Sequence, residues 1–362
     1  MAHAQPAPRR PSAAEADRRH DLVVIGASAG GVEALLALVR DLPGDFRAPV
    51  LVVLHVLSSG TSLLPQLLDR AGPLPAEAAT DGQELAPGRI YVAPPDHHVV
   101  VQPGRLELSR GPRENGHRPA VDVLFRSAAW AYGSRVVGVI LSGARDDGTS
   151  GLRHVKSLGG LAIVQDPQEA LYPGMPRSAA KSVAVDWIAP LKGIAPLLTR
   201  LVREGHPAPA SMGGSAEPVA ARLDDPSGDG DDATGLTCPD CGGALWQVNE
   251  GSLVRLQCRV GHTFSPETLL SSQADSLESA LWAALRTLEE RAELLARMSA
   301  RARQHRDDSS SADRFQIQAR DAQARVGLIR EAIMQAPEGD EAAVSEPEEV
   351  ATKPSGNGAG ST

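Results

Sequence analysis

Four short apolar runs, at positions 22–25, 49–55 (closing on His55), 136–141 and 161–164, constrain the fold of this chain more than any other feature. A strand that is apolar at every position has no face to give to water. Helices must cover it on both sides, and a parallel sheet with helical crossovers does so. Helical patterns accompany the runs, opening at Gly31, near Thr61, over 120–132, at Thr149 and over 192–204. The alternation predicts an α/β fold over 21–204, a doubly wound, mostly parallel sheet. Two further runs, 99–101 and 106–108, flank Pro103-Gly104 and predict an antiparallel hairpin insertion, with 89–93 read as part of the same interruption.

Sites in such sheets form beyond the carboxyl ends of the strands. The first run leads into Gly26-Ala27-Ser28-Ala29-Gly30-Gly31, the second ends at His55, and the third enters Ser142-Gly143-Ala144-Arg145-Asp146-Asp147-Gly148. A serine between small residues at a strand-to-helix turn is exposed as a nucleophile in a Gly-x-Ser-x-Gly elbow. The competing reading is a phosphate-cradling turn, which would want glycine at position 28 and an acid about 20 residues on. Taken singly, His55 reads as a polar strand cap and Asp147 as a turn former or helix cap, with Asp146 competing for any role. Together, the three strand ends supply the composition of an acyl-transfer triad in the order Ser28, His55, Asp147. The backbone N–H of Ala29 is the first candidate donor to a developing oxyanion, and the loop 143–145 is a second source.

At 362 residues the chain exceeds one typical domain of about 100–200 residues. Its net charge of −9 is uneven, with +2 in residues 1–20, −5 in 207–234 and −5 in 336–362. These polar segments bury too little apolar surface to order themselves. They read as a disordered N-terminus (1–20), an acidic flexible linker (205–235) and a disordered acidic tail (336–362). The remainder is near neutral and has no basic groove with interleaved aromatics, which argues against nucleic acid as a partner. The first 20 residues lack the apolar stretch of a secretory signal, and no run approaches the ~20 apolar residues of a membrane span. The expectation is a cytoplasmic protein without membrane insertion.

All three cysteines fall in two clusters, Cys238-Pro239-Asp240-Cys241 and Cys258-Arg259-Val260-Gly261-His262. Two ligand pairs separated by a hairpin-length spacer predict a closed Cys3His zinc ribbon over 236–265, with Cys238, Cys241, Cys258 and His262 holding a structural Zn2+. Residues 266–335 predict a helical hairpin. One face carries Leu277, Leu281, Leu288, Leu295 and Met298, and another Phe315, Ala322, Val326, Ile329 and Ile333, with a polar run at 307–311 between them and Arg291 interrupting the seam. This element suits packing or helix-mediated self-association.

Over about residues 20–204 the chain resembles the catalytic domain of chemotaxis protein-glutamate methylesterases of the CheB type. The likeness is carried by Ile25-Gly26-Ala27-Ser28-Ala29-Gly30-Gly31, Leu54-His55, Asp81-Gly82, Pro87-Gly88-Arg89-Ile90-Tyr91-Val92-Ala93-Pro94 and His117-Arg118-Pro119-Ala120-Val121-Asp122-Val123-Leu124-Phe125. Gly138-Val139-Ile140-Leu141-Ser142-Gly143, Asp147-Gly148 and Gly174-Met175-Pro176-Arg177 complete it. The resemblance implies a serine hydrolase that removes methyl groups from methylated glutamates of chemoreceptor cytoplasmic helices, and in many members deamidates receptor glutamines. It implies Ser28 as nucleophile, His55 as general base and Asp147 as orienting carboxylate, with no cofactor needed for catalysis. His117 and Arg118 suit gripping the substrate, and equally suit fixing a loop. His97 and His98 are neighbours on a strand and face opposite ways, so they are left out of the site.

Two features depart from the family pattern. A small hydroxyl residue often follows the nucleophile there, whereas here it is Ala29. Members also usually carry an N-terminal receiver domain, and with about 20 residues before the first strand a stand-alone form is expected. The zinc ribbon is similar to modules appended to some stand-alone methylesterase-like proteins. Other functional readings are a non-catalytic partner-binding regulator and a serine esterase acting on small esters.

Overall fold

The apolar runs form strands. In chain order the first part of the protein comprises β1 (Leu22–Ala27), α1 (Gly31–Arg40), β2 (Val50–Leu54), α2 (Leu64–Ala71), β3 (Ala76–Ala78), β4 (Ile90–Val92), β5 (His98–Gln102) and β6 (Arg105–Ser109). It continues with α3 (Val121–Tyr132), β7 (Val136–Ile140), α4 (Thr149–Ser157), β8 (Leu161–Gln165), α5 (Gly174–Ser182), β9 (Trp187–Ala189) and α6 (Leu191–Glu204). The computed structural model describes residues 20–56, 62–204, 233–250, 253–304 and 309–335, in two units that divide after Leu277.

Seven strands make one sheet in the order β3-β4-β2-β1-β7-β8-β9, and every pairing is parallel. β1 is wholly buried because it is covered twice. Val23, Ile25 and Ala27 pack with Leu35 and Leu38 of α1, Leu68 of α2 and Leu198 of α6. Leu22 and Val24 pack with Leu124 and Phe125 of α3, Leu152 of α4 and Met175 of α5. Burying one such aliphatic side chain contributes about 1.5–3 kcal/mol, so the alternation of β1 between the two layers anchors the three-layer stack. The chain builds outward from β1 first through β2 and then through β7. The carboxyl ends of these strands therefore flank a topological switch point, where open sheets leave a crevice.

Several boundaries differ from the sequence reading. Residues Ile90–Val92 are not part of the hairpin interruption but a parallel strand between β2 and β3. The hairpin itself is β5–β6, a separate two-stranded sheet. β3, β9 and α5 went unpredicted, the two strands being three residues each and the helix opening with Gly174-Met175-Pro176. The helix expected near Thr61 starts at Leu64, where Pro65 suits a first turn and Ser62 Oγ accepts from Leu64 N–H; residues 57–61 lie outside the described residues.

The C-terminal module is an antiparallel sheet of β10 (Ala233–Thr237), β11 (Ala244–Glu250), β12 (Leu253–Cys258) and β13 (Thr263–Phe264), in that order. β10 starts inside the expected linker 205–235; the rest of that segment, residues 1–19 and the tail 336–362 lie outside the described residues. Among the described residues the module's core comprises Cys238, Leu245, Leu256, Cys258, Phe264 and Leu269. Two helices follow, α7 (Pro266–Gln304) and α8 (Ser309–Gln335). Among the described residues no helix is long and apolar enough to cross a membrane.

Within the second unit the buried seam of α7 is Leu285, Ala292, Leu295, Ser299 and Ala302, and that of α8 is Ala312, Ala319, Ala322 and Val326. Leu277 and Met298, expected on the packed face, are exposed, and Arg291 lies off the seam rather than interrupting it. The seam keeps a heptad rhythm but uses small residues. Ser299 Oγ accordingly reaches Ala312 O across it at 2.9 Å, and Arg330 pairs with Glu289 at its margin. Residues 309–311 of the expected polar break belong to α8.

Candidate active site

Ser28 stands where β1 turns into α1. Its N–H donates to Ser142 O at 3.0 Å and its carbonyl accepts from Gly31 N–H at 2.9 Å. Gly30, at φ +67°, makes that turn in the left-handed region, and a Cβ there would sit 2.8 Å from Ser142 Oγ. His55 leaves β2 beside it, its N–H donating to Ala27 O at 3.2 Å. The loop after β7 closes the third side. Ser142 Oγ donates to Ala29 O at 2.8 Å and accepts from Tyr172 N–H at 3.0 Å. Gly143 lies so close that a Cβ would fall 3.0 Å from Ser28 Cβ and 2.1 Å from Met175 Sδ.

The three strand ends meet in one hydrogen-bonded chain. His55 Nδ1 is 3.1 Å from Ser28 Oγ, and His55 Nε2 is 2.7 Å from Asp147 Oδ2. A carboxylate only accepts, so Nε2 carries the proton and Nδ1 is left to accept from the serine hydroxyl. The side chains of His55 and Asp147 are 7% and 2% exposed, which shields this chain from water. Asp147 also accepts from Val121 N–H (2.7 Å), Asn115 Nδ2 (2.9 Å) and Asp122 N–H (3.2 Å). Burial pushes its carboxyl up, but the hydrogen bond and charge of His55, then His117 and Val121 N–H, hold it well below the usual carboxylate range. Asp147 is therefore a fixed anion. Asp146, its competitor, turns away and accepts from Thr268 Oγ1 at 2.6 Å.

The remaining expected residues divide. Ala29 N–H has no hydrogen-bond acceptor among the described residues and adjoins the serine, whereas Gly143 N–H, in the alternative loop, is committed to Tyr172 O at 2.9 Å. His117 stacks on the His55 ring, centroids 3.6 Å apart and planes 12° from parallel. Burial, reinforced by the neighbouring His55, lowers its pKa to about 3, so it packs as a neutral ring. Arg118 is hydrogen-bonded within its own surroundings. Its guanidinium donates to Asp96 Oδ1 (3.0 and 2.6 Å), Arg110 O (3.1 Å) and Gly111 O (2.8 Å), and so braces the backbone on either side of the hairpin. His98 is structural too, placed between Pro112 O and Ala120 N–H.

Asn115 and Asp122 were not foreseen as part of the site. Asn115, at φ +53°, occupies a left-handed turn before Gly116, and its sequence signal was only that of a turn. Its amide donates to both Asp147 and Asp122. Asp122 sits in the motif that carries the family resemblance, yet nothing in the spacing shows that its Oδ1 receives Gly148 N–H (3.0 Å) and Gly151 N–H (2.7 Å).

In the C-terminal module Cys238, Cys241, Cys258 and His262 bring their ligand atoms within 4.8 Å of one another. Cys241 Sγ is 3.6 Å from Cys258 Sγ, and His262 Nδ1 is 3.7 Å from Cys238 Sγ and 3.5 Å from Cys258 Sγ. Ligands at about 2.3 Å in a tetrahedron lie about 3.8 Å apart, so this donor set could hold a metal ion. Each ligand pair has its own hydrogen-bonded turn, Gly242 N–H to Cys238 O in one and Cys258 N–H to His262 O in the other.

Known proteins are similar to this chain over its first part. A protein of Leptospira interrogans described as a putative protein-glutamate methylesterase/protein-glutamine glutaminase is 38% identical over 183 residues, half of this chain and 95% of that one. A Myxococcus xanthus protein-glutamate methylesterase/protein-glutamine glutaminase is 40% identical over 186 residues, 51% of this chain and 53% of its own length. The solved Thermotoga maritima CheB methylesterase catalytic domain is 37% identical and aligns with 50% of this chain and 98% of that one, with a TM-score of 0.49. The family described as CheB methylesterase matches residues 23–198, and this chain belongs to it.

Proposed function

We propose that the chain is a protein-glutamate methylesterase that hydrolyses the γ-methyl esters of methylated glutamates on chemoreceptor cytoplasmic helices or a related signalling protein, and deamidates glutamines there by the same route. The observation that carries this reading is the hydrogen-bonded chain Ser28–His55–Asp147 at three neighbouring strand ends. In the reaction, Ser28 Oγ attacks the ester carbonyl while His55 Nδ1 takes its proton, and Asp147 balances the imidazolium through Nε2–H. The oxyanion forms against Ala29 N–H. Nδ1–H then gives the proton to the departing methoxide oxygen, which leaves as methanol, or to the amide nitrogen of a glutamine, which leaves as ammonia. Water, deprotonated by the same nitrogen, hydrolyses the acyl-enzyme.

Zinc fits the Cys3His cluster, since four protein ligands leave no open position and soft thiolates suit that ion. Bound there, it would supply folding energy to a module with a small core, and none of the chemistry at Ser28 passes through it. A cytoplasmic location suits a receptor-directed enzyme of this kind.

The test is methanol release from a methylated chemoreceptor. Ser28→Ala is expected to lower kcat by about four to six orders of magnitude with the fold intact. Unchanged release from a folded Ser28→Ala protein would remove the reading.

A further inference from the structure

The C-terminal module does not merely adjoin the catalytic domain; it reaches the carboxylate of the triad by two routes. The first runs through Arg255 on β12. Its side chain, 4% exposed, donates from Nη1 to Asp122 Oδ2 at 2.7 Å and from Nη2 to Glu114 Oε2 at 3.4 Å. Asp122 in turn holds Gly148 and Gly151, which bracket the first turn of α4 directly after Asp147, and it shares the Asn115 amide with Asp147. The second route runs through β13 and the residue after it. Asn115 N–H donates to Thr263 O at 2.7 Å, and Ser265 N–H donates to Asn115 Oδ1 at 3.2 Å. A further tie fastens the module, Ser150 to Glu250 on β11, and the start of α7 is tied by Arg145 to Asp275 and Thr268 to Asp146.

Both routes leave the module next to metal ligands. Arg255 is three residues before Cys258 on β12, and Thr263 follows His262. Strands β12 and β13 pair only at Leu256 with Phe264 and Gln257 with Thr263, so the ligands at Cys258 and His262 close the turn that sets where Arg255 and Thr263 stand. The charges make this placement consequential. Asp147, Asp122 and Glu114 are three buried carboxylates faced by Arg126 and Arg255, with Arg126 already engaged by Glu114. Burial raises Asp122 to about 6 against the pull of Arg255, with the charge of Asp147 adding to the rise. Without Arg255 it would take up a proton at neutral pH, and one oxygen would turn from acceptor to donor against Asn115 or the α4 amides.

We infer that Arg255, carried by the metal-ligand module, is a positioning residue for Asp147, and that closure of the Cys238, Cys241, Cys258 and His262 site thereby sets the reactivity of Ser28. This rests on the proposed triad.

The experiment uses the full-length chain and a fluorophosphonate, which reports nucleophile reactivity without receptor docking. Arg255→Gln is expected to slow labelling of Ser28 and lower kcat for methanol release by about 10- to 100-fold, with KM within about twofold. Arg255→Lys, which keeps a cation against Asp122, recovers part of the loss, as a merely space-filling role would not allow. Should Arg255→Gln fail to fold, the wild type is stripped with a chelator and stripping is followed by the titre of thiols open to a cysteine reagent. Labelling then falls in step with thiol exposure and returns with added Zn2+. Wild-type labelling rates in folded Arg255→Gln, or in the stripped wild type, overturn the inference. No labelling of the untreated wild type refutes the triad itself, and this inference with it.

Discussion

Replacing Asp147 with asparagine sets two costs against each other, and the structure decides between them. Every partner of Asp147 is a donor: His55 Nε2 and Val121 N–H at Oδ2, Asn115 Nδ2 and Asp122 N–H at Oδ1. An amide must place its NH2 at one of these positions. At the Oδ1 position it opposes two buried donors, and each donor left unsatisfied costs about 1–3 kcal/mol. Asn115 cannot relieve the conflict by turning over, because its oxygen is held by Ser265 N–H. At the Oδ2 position the NH2 opposes only Val121 N–H, since His55 accommodates it by moving its proton to the other nitrogen. That second arrangement is cheaper by roughly one unsatisfied donor, so it prevails. Its price falls on catalysis: Nδ1 now bears a proton and faces Ser28 Oγ as a donor. A base held in the wrong tautomer loses about 10⁴ in kcat, equivalent to about 5 kcal/mol of barrier. The expected outcome for Asp147→Asn is therefore a folded protein, about 1–3 kcal/mol less stable in urea, with near-normal KM and kcat for methanol release reduced about 10⁴-fold. A folded Asp147→Asn enzyme within tenfold of wild-type kcat would refute the tautomer argument.

Gly143→Ala forces a methyl into Met175 and against Ser28 Cβ, so methanol release should fall at least about 100-fold while circular dichroism stays native. Arg118→Gln should lower the melting temperature by loosening Asp96 and residues 110–111, which flank the β5–β6 hairpin, yet leave KM for methylated receptor unchanged; a several-fold rise in KM would assign Arg118 to substrate binding. His117 predicts an acid limb of stability. Its pKa is about 6.5 in the unfolded chain and about 3 when folded, so between these values the unfolded chain binds the extra proton and stability drops as pH falls. Urea midpoints at pH 4.5 and 7.5 should differ less in His117→Gln than in wild type, and equal differences would show that His117 does not supply this limb.

The parallel sheet was legible because burial on both faces leaves a continuous apolar run, which β1, β2, β7 and β8 each display. β3 and β9 were not, since three-residue edge strands with half-exposed faces carry no such run. The residues at the strand ends could be read because topology alone delivers Ser28, His55 and Asp147 to one edge. What supports them was hidden. Asn115 looks like any turn former, and Arg255 lies 133 residues beyond the Asp122 it meets, a separation that no periodicity bridges. The helical seam was misphased for a related reason. Small residues such as Ala292, Ser299 and Ala319 carry it, and a reading weighted toward large apolar side chains favoured Leu277 and Met298 instead.

His55 is seated with Nε2 sealed in the protein interior by Asp147 and with Nδ1 toward the nucleophile. The ring nitrogen on the nucleophile's side is thus the one adjoining the carbon that attaches the ring to the side chain, and it is occupied by the Ser28 hydroxyl. Reagents built to alkylate the far ring nitrogen of a catalytic histidine would find it turned inward. A compact warhead directed at Ser28 Oγ meets no such obstacle, so selective covalent chemistry on this enzyme starts from the serine.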